Sequence, residues 1–167
     1  MSVNFFNADC RIITRDKRFG ICDDDNKKPA YTNTDTANKW IATVVNDAAL
    51  EINFTAIDNC IDIFRDNGEM ESRCDVMMAY QNSLLFVELK TKRKNWKAEG
   101  LGQIEATIQK MLDTNNDYYY GFKKRKAIVA NSKHKTPCFE ENDAETRIRF
   151  FREFKIRLQF NAEIVIN

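Results

Sequence analysis

The chain has 167 residues, 26 Lys/Arg against 25 Asp/Glu, a net charge of +1 and 43% hydrophobic residues. That length suits one domain, spanning 1–167, with a substantial core, and the balance excludes a polycation. No apolar run approaches the ~20 residues of a membrane helix, and the opening MSVNFFNADCR lacks the basic-then-apolar pattern of a secretory leader.

Five scattered cysteines, Cys10, Cys22, Cys60, Cys74 and Cys138, never stand as C-x-x-C. Their odd number and spacing argue against zinc or iron–sulfur binding and lead us to expect free thiols in a reducing, cytoplasmic setting. Neither G-x-x-x-x-G-K-S/T nor G-x-G-x-x-G occurs, which excludes a P-loop motor and a Rossmann dinucleotide site. His134 is the lone histidine, in a basic loop, so two-histidine metal motifs are excluded and a Ser-His-Asp triad finds no support.

In chain order, residues 1–34 form an N-terminal extension of uncertain structure. CRIITR can be a strand and CDDDNKKPAYTN is a polar loop broken by Pro29. Asp23, Asp24 and Asp25 point in different directions as consecutive residues, which reads as a solvated acidic run. From Thr36 the spacing of Ala37, Ile41, Val44, Ala48 and Ile52 predicts a helix. Asn67-Gly68 then predicts a tight hairpin turn between two strands. SLLFVELKT is a third strand and AEGLGQIEATIQKMLD a second helix, with Leu101, Ile104, Ile108 and Met111 on one side. KAIVAN is a short strand, NDAETRIRFFREFK a third helix and LQFNAEIVIN a closing strand. The order predicts an α/β fold: a mixed central β-sheet flanked by helices, with its core over 36–131 and a C-terminal helix and strand over 132–167.

The segment CDVMMAYQNSLLFVELK holds the chemistry. Alternation puts Leu84, Phe86, Glu88 and Lys90 on one strand face. If Gln81 and Asn82 form a two-residue loop, Tyr80 pairs with Ser83 and Asp75 falls opposite Glu88, with Cβ atoms roughly 5 Å apart. A three-residue loop would put Asp75 opposite Leu89, on the wrong side. Two carboxylates that close, framed by apolar residues, repel unless a cation joins them. Oxygen ligands without cysteine or histidine suit Mg²⁺ or Mn²⁺. Such an ion activates water and neutralises charge on a phosphoryl transition state, while Lys90 can orient or deprotonate that water. The rival reading is an exposed hairpin with a Glu88–Lys90 surface pair.

These residues resemble the D-x(n)-(D/E)-x-K signature of the PD-(D/E)xK nuclease superfamily, the restriction-endonuclease-like fold. The resemblance runs from the helix at Thr36 to the strand near Asn131 and implies an αβββαβ core. It also implies that Asp75, Glu88 and the Leu89 carbonyl bind the metal and that Lys90 completes the site. Cys74 stands where many members carry proline. Many such nucleases add a glutamate from the first helix, here Glu51 on the apolar stripe; its rival reading is a helix-end residue that reaches solvent. Gln103 resembles the glutamine of the second helix. Gly100 and Gly102 would let backbone amides approach an anion there, or simply mark a loop-to-helix junction.

Charge is uneven. Lys90 to Lys135 contain 12 Lys/Arg against 4 Asp/Glu, the remainder 14 against 21. Lys92, Arg93, Lys94, Lys97, Lys123 and Lys124 are candidate contacts to a DNA backbone, a solvated surface being the alternative. Trp96 and Tyr118 to Tyr120 offer either base stacking or core packing. The expectation is a Mg²⁺- or Mn²⁺-dependent phosphodiesterase, an endonuclease more than an exonuclease, acting on DNA in repair, restriction or phage-related defence. It would work as a homodimer or under a targeting partner such as an ATPase. The alternative is a non-catalytic nucleic-acid-binding or protein-interaction module on the same fold.

Overall fold

The computed structural model describes residues 3–135 and 143–167. Its elements are β1 (Arg11–Thr14), β2 (Arg18–Cys22), β3 (Tyr31–Asn33), β4 (Ala42–Val45), β5 (Ile52–Ala56), β6 (Val76–Tyr80), β7 (Ser83–Lys90), α1 (Trp96–Gly121), β8 (Lys124–Asn131), α2 (Asp143–Phe154), β9 (Arg157–Phe160) and β10 (Glu163–Val165). They form a mixed α/β structure with two mixed sheets and two helices. A six-stranded sheet runs β1-β5-β6-β7-β8-β9, and a four-stranded sheet runs β10-β4-β2-β3.

The larger sheet starts as an antiparallel run through β7. It then turns parallel at β8, because α1 carries the chain back to the same edge direction. β7 is long and buried almost throughout. Burying Leu84, Leu85, Phe86 and Val87 contributes roughly 1.5–3 kcal/mol each. That apolar frame offsets the several kcal/mol that carrying a carboxylate inside costs.

Alternation sorts the two faces. Met77, Ala79, Leu84, Phe86, Ala127 and Val129 pack beneath α1 and α2. Val76, Met78, Leu85, Val87 and Ile128 meet Phe19, Ile21, Val44 and Ile164 of the smaller sheet. Helices therefore cover one face only, and a second sheet covers the other, where a single central sheet flanked by helices was expected.

The helix expected from Thr36 is absent. Ala37–Lys39 is a single 3-10 turn, followed by strands β4 and β5. The reason lies in the turn between them. Buried Asn46 donates to the carbonyls of Asp16 and Leu50 and accepts from the Leu50 amide. Ala49 sits at φ 50°. With Thr43, Val44 and Val45 β-branched, the segment satisfies its backbone in sheets. Within residues 3–34, β1, β2 and β3 belong to the two sheets.

Around Asn67-Gly68 the chain does turn, with Gly68 at φ +86°. Only one bridge, Phe64 to Met70, forms beside it, so no extended hairpin precedes β6. The second helix is longer than expected, with Asn115 breaking its regular dihedrals. The closing strand splits in two: β9 ends the large sheet, and β10 pairs parallel with β4 in the small one.

Cys10 and Cys60 form a disulfide that ties the start of β1 to the loop after β5, with Cα atoms 5.8 Å apart. This corrects the expectation of free thiols throughout. Cys22 and Cys74 are free and buried. Cys138 and the first residue of the expected third helix, Asn142, lie outside the described residues. Among the described residues, no helix is long and apolar enough to cross a membrane.

Candidate functional site

The β6–β7 hairpin closes through Gln81 and Asn82, with Gln81 at φ 46°. Tyr80 pairs with Ser83, and the register runs unbroken to Val76 opposite Val87. One step further, Asp75 therefore faces Glu88 on the helix side of the sheet. Both are buried, at 5% and 2% exposure. Even loop length fixes this relation, as expected from the sequence.

The two carboxylates are held differently. Asp75 Oδ2 accepts the Leu89 amide at 2.7 Å. In an antiparallel strand a residue's N–H and C=O share an edge, so the Leu89 carbonyl also faces the Asp75 side. Glu88 Oε1 lies 3.2 Å from Lys90 Nζ, whereas Glu88 Oε2 is buried without a hydrogen-bond partner. Burial pushes the Asp75 carboxyl up to about 7 against the pull of the Leu89 amide, and the charges of Asp23 and Asp58 add to the rise. Burial and then Asp75 raise Glu88 well above the ordinary carboxylate range, opposed by Lys90. The pair is thus short of positive charge.

Gln103 joins this site. Lys90 Nζ donates to Gln103 Oε1 at 2.5 Å, and Gln103 Nε2 reaches the Arg73 carbonyl at 3.4 Å. One turn on, Thr107 donates to the Gln103 carbonyl and accepts the Cys74 amide at 2.8 Å. α1 therefore clamps the strand entrance just ahead of Asp75.

Gly100 and Gly102 do not offer amides to an anion, because α1 starts at Trp96 and both lie inside it. A Cβ on Gly100 would come 2.7 Å from Val129 Cγ1 and 3.4 Å from Glu88 Cγ. Its bareness lets the helix lie directly over Glu88. Gly102 faces open space.

Glu51 is not brought to the site. It is half-exposed, pairs with Arg15 at 2.8 Å, and stands ahead of β5 at the hairpin-loop end of the sheet. It lies six positions before Ile57, whose amide bonds the Asp75 carbonyl, a distance of roughly 20 Å along a strand. The helix meant to carry it does not exist. Asp58 takes its place near Asp75, while pairing with Arg73 at 3.0 Å. Asp23, read as part of a solvated run, also lies near enough to act on Asp75. Asp58 follows β5, which pairs with β6, and Asp23 follows β2 of the smaller sheet, so no local spacing marks either.

The basic candidates separate into three groups. Arg93 and Lys94 are exposed in the loop after β7, and Lys92 there pairs with Glu99 at 2.7 Å. Lys97 is mostly buried, pairs with Asp143 at 2.8 Å and lies over the Phe160 ring, so it serves packing instead of a DNA backbone. Lys123 and Lys124 lie at the far end, where Lys124 pairs with Ser83, five residues from the Glu88 level. Trp96 is buried, with His134 stacked on it and Phe160 edge-on. Tyr119 is buried and donates to the Phe154 carbonyl. Neither is open to a base, while Tyr120 is 45% exposed.

A cavity of about 640 Å³ lies at the other end of this face among Phe5, Arg11, Glu51, Met77 and Tyr118. It holds no opposed buried acids, so the chemistry points to the hairpin. Among the described residues, no group of three or more His, Cys, Asp or Glu side chains converges on one point. Comparison with protein-family models, curated proteins and solved structures returns no match.

Proposed function

We propose that the chain is a metal-dependent phosphodiesterase acting on nucleic acid, DNA in the first place, in the manner of the PD-(D/E)xK nucleases. The observation that carries this reading is the opposed, buried Asp75–Glu88 pair with Glu88 Oε2 unpartnered. An apolar frame does not bury two acids face to face without a cation or proton to join them.

The donor set fits a hard divalent ion, with Asp75, Glu88 and the Leu89 carbonyl as oxygen ligands. Bound there, Mg²⁺ or Mn²⁺ supplies Lewis-acid charge and a more acidic water. The chain's residues do the rest. Lys90 presents an ammonium beside Glu88, where it can orient a nucleophilic water or balance charge on a phosphoryl oxygen. Gln103 fixes the Lys90 head group. Arg93 and Lys94 would meet the phosphate backbone as it enters. The β5-β6-β7-α1-β8 succession supports a nuclease-like core, although a strand pair stands where that core's first helix was expected. One such site cuts one strand, so double-strand cleavage would call for a second copy or an ATPase-type partner that delivers the substrate.

The test is nicking of supercoiled plasmid with Mg²⁺ or Mn²⁺, comparing wild type with Asp75→Asn, Glu88→Gln and Lys90→Ala. Loss of nicking in all three variants, with unchanged melting curves in Mg²⁺-free buffer for Lys90→Ala, supports the reading. Nicking that survives in all three removes it.

A further inference from the structure

The run Lys123 to Lys126 opens β8 at the end of the sheet remote from Glu88. With Phe151, Lys155 and Arg157 it lines a cavity of about 440 Å³ that no acidic side chain enters. The volume lies in the range that holds small organic ligands.

Two features set this cavity apart from a merely solvated basic surface. First, Lys126 stands directly beside Arg157 in the parallel β8–β9 register, and like charges so placed repel. Lys126, Lys124, Lys123 and Arg157 have no acidic partner among the described residues. Burial, then Lys124 and Arg157, pull the Lys126 ammonium down, as expected of a cation lacking a counter-charge. Second, Phe151 is 55% exposed in the wall of the same cavity.

Arg125 provides the frame. Its guanidinium donates to the carbonyls of Lys155, Tyr119 and Phe122, fixing the β8 start to the ends of both helices. Lys124 and Lys126 alternate with Ala127 and Val129, so they leave β8 on the face away from α1, while Phe151 and Lys155 line the cavity from α2 and its end, so that it wraps the starts of β8 and β9. Glu88 points to the other face, roughly 17 Å away along the strand.

We propose that this cavity is a nucleotide-binding site separate from the Asp75–Glu88 pair, taking phosphate oxygens on Lys124, Lys126 and Arg157 and a base against Phe151. Several cations around a phosphate with one aromatic face beside them are the elements by which proteins hold unpaired nucleotides. The same chemistry is offered by a free nucleoside triphosphate and by a single strand, and the site stands whether or not the hairpin is catalytic.

The test uses the full chain carrying Asp75→Asn, in EDTA, so that cleavage plays no part. Two probes are titrated by fluorescence anisotropy: a labelled ATP analogue and a labelled 12-mer of thymidylate. The expected result is saturable binding of at least one probe, weakened tenfold or more by Lys126→Ser with Arg157→Ser. Phe151→Ala should weaken it about fivefold or more while leaving competition by inorganic tripolyphosphate unchanged. Preference for the ATP analogue assigns a free nucleotide, and preference for the 12-mer assigns a strand. If the double variant misfolds, Lys123→Ser with Lys124→Ser takes its place. Binding unaffected by both pairs of variants, no binding of either probe, or tighter binding of polyglutamate than of both would overturn the proposal.

Discussion

Lys90 and Gln103 meet across the β7–α1 interface at 2.5 Å, the amide oxygen of a helix residue holding an ammonium against Glu88. A lysine so tethered keeps its head group at the carboxylate pair instead of in solvent. Under the nuclease reading, Lys90→Ala should lower plasmid nicking by roughly 10²-fold or more. Gln103→Ala removes positioning only, so a drop of about tenfold is expected. Gln103→Glu should restore part of the loss by offering Lys90 an acceptor again. Single-turnover cleavage rates at saturating metal separate these effects from substrate binding.

The pH response of the metal-free protein follows from the same pair. Asp75 is raised to about 7 and Glu88 is raised as well, whereas both ionise near 4 in an unfolded chain. Between those values the folded state holds protons that the unfolded state has released, so stability falls as pH rises from about 4 to 7. Glu88→Gln should flatten this fall and melt higher than wild type at pH 8 in EDTA, by several degrees at roughly 2–4 °C per kcal/mol. Added Mn²⁺ should raise the wild-type melting temperature at pH 8 and leave Glu88→Gln much less affected. Differential scanning fluorimetry across pH 5–8 reads both.

Gly100 is a packing prediction. A Cβ there would meet Val129 Cγ1 at 2.7 Å and Cγ2 at 3.2 Å, and buried Val129 is stiff at χ1. Gly100→Ala should therefore cost about 1–3 kcal/mol despite the ~1 kcal/mol that helix propensity returns. Gly102→Ala, which meets nothing, should be neutral to stabilising. Urea titration of the two variants checks the contrast.

The Cys10–Cys60 bridge closes a separation of 50 residues. Cys10→Ser with Cys60→Ser should destabilise by roughly 2–4 kcal/mol. Reductant should lower the wild-type melting temperature towards that of the double variant and leave the variant itself unchanged.

The hairpin was legible because its signals are local: alternation along β7 and an even loop fix which side chains oppose. The middle of α1 was legible for the same reason, with Ile104, Ile108 and Met111 buried on one stripe. The segment around Ala37 to Ile52 misled because two strands and a turn happened to place apolar residues at helical intervals. The β-branched run from Thr43 to Val45 and the exposed Ala48 were the contrary signs. Glu51 was drawn to the site only by that false helix. Asp23 was read as solvated and Asp58 escaped notice because the β5–β6 pairing and the stacking of the two sheets, which bring them near Asp75, are long-range.

In the smaller sheet, Glu163 sits beside Thr43 and Ile164 beside Val44, partners some 120 positions apart along the chain. A seam of that span forms slowly and cannot begin until residues 163–166 have been synthesised. The hairpin with its two acids needs no such wait, and neither does the β2–β4 pair that lays Phe19, Ile21 and Val44 against its far side. Ile164 and Ile166 are thus the last apolar side chains to join the layer over Val76, Met78 and Val87.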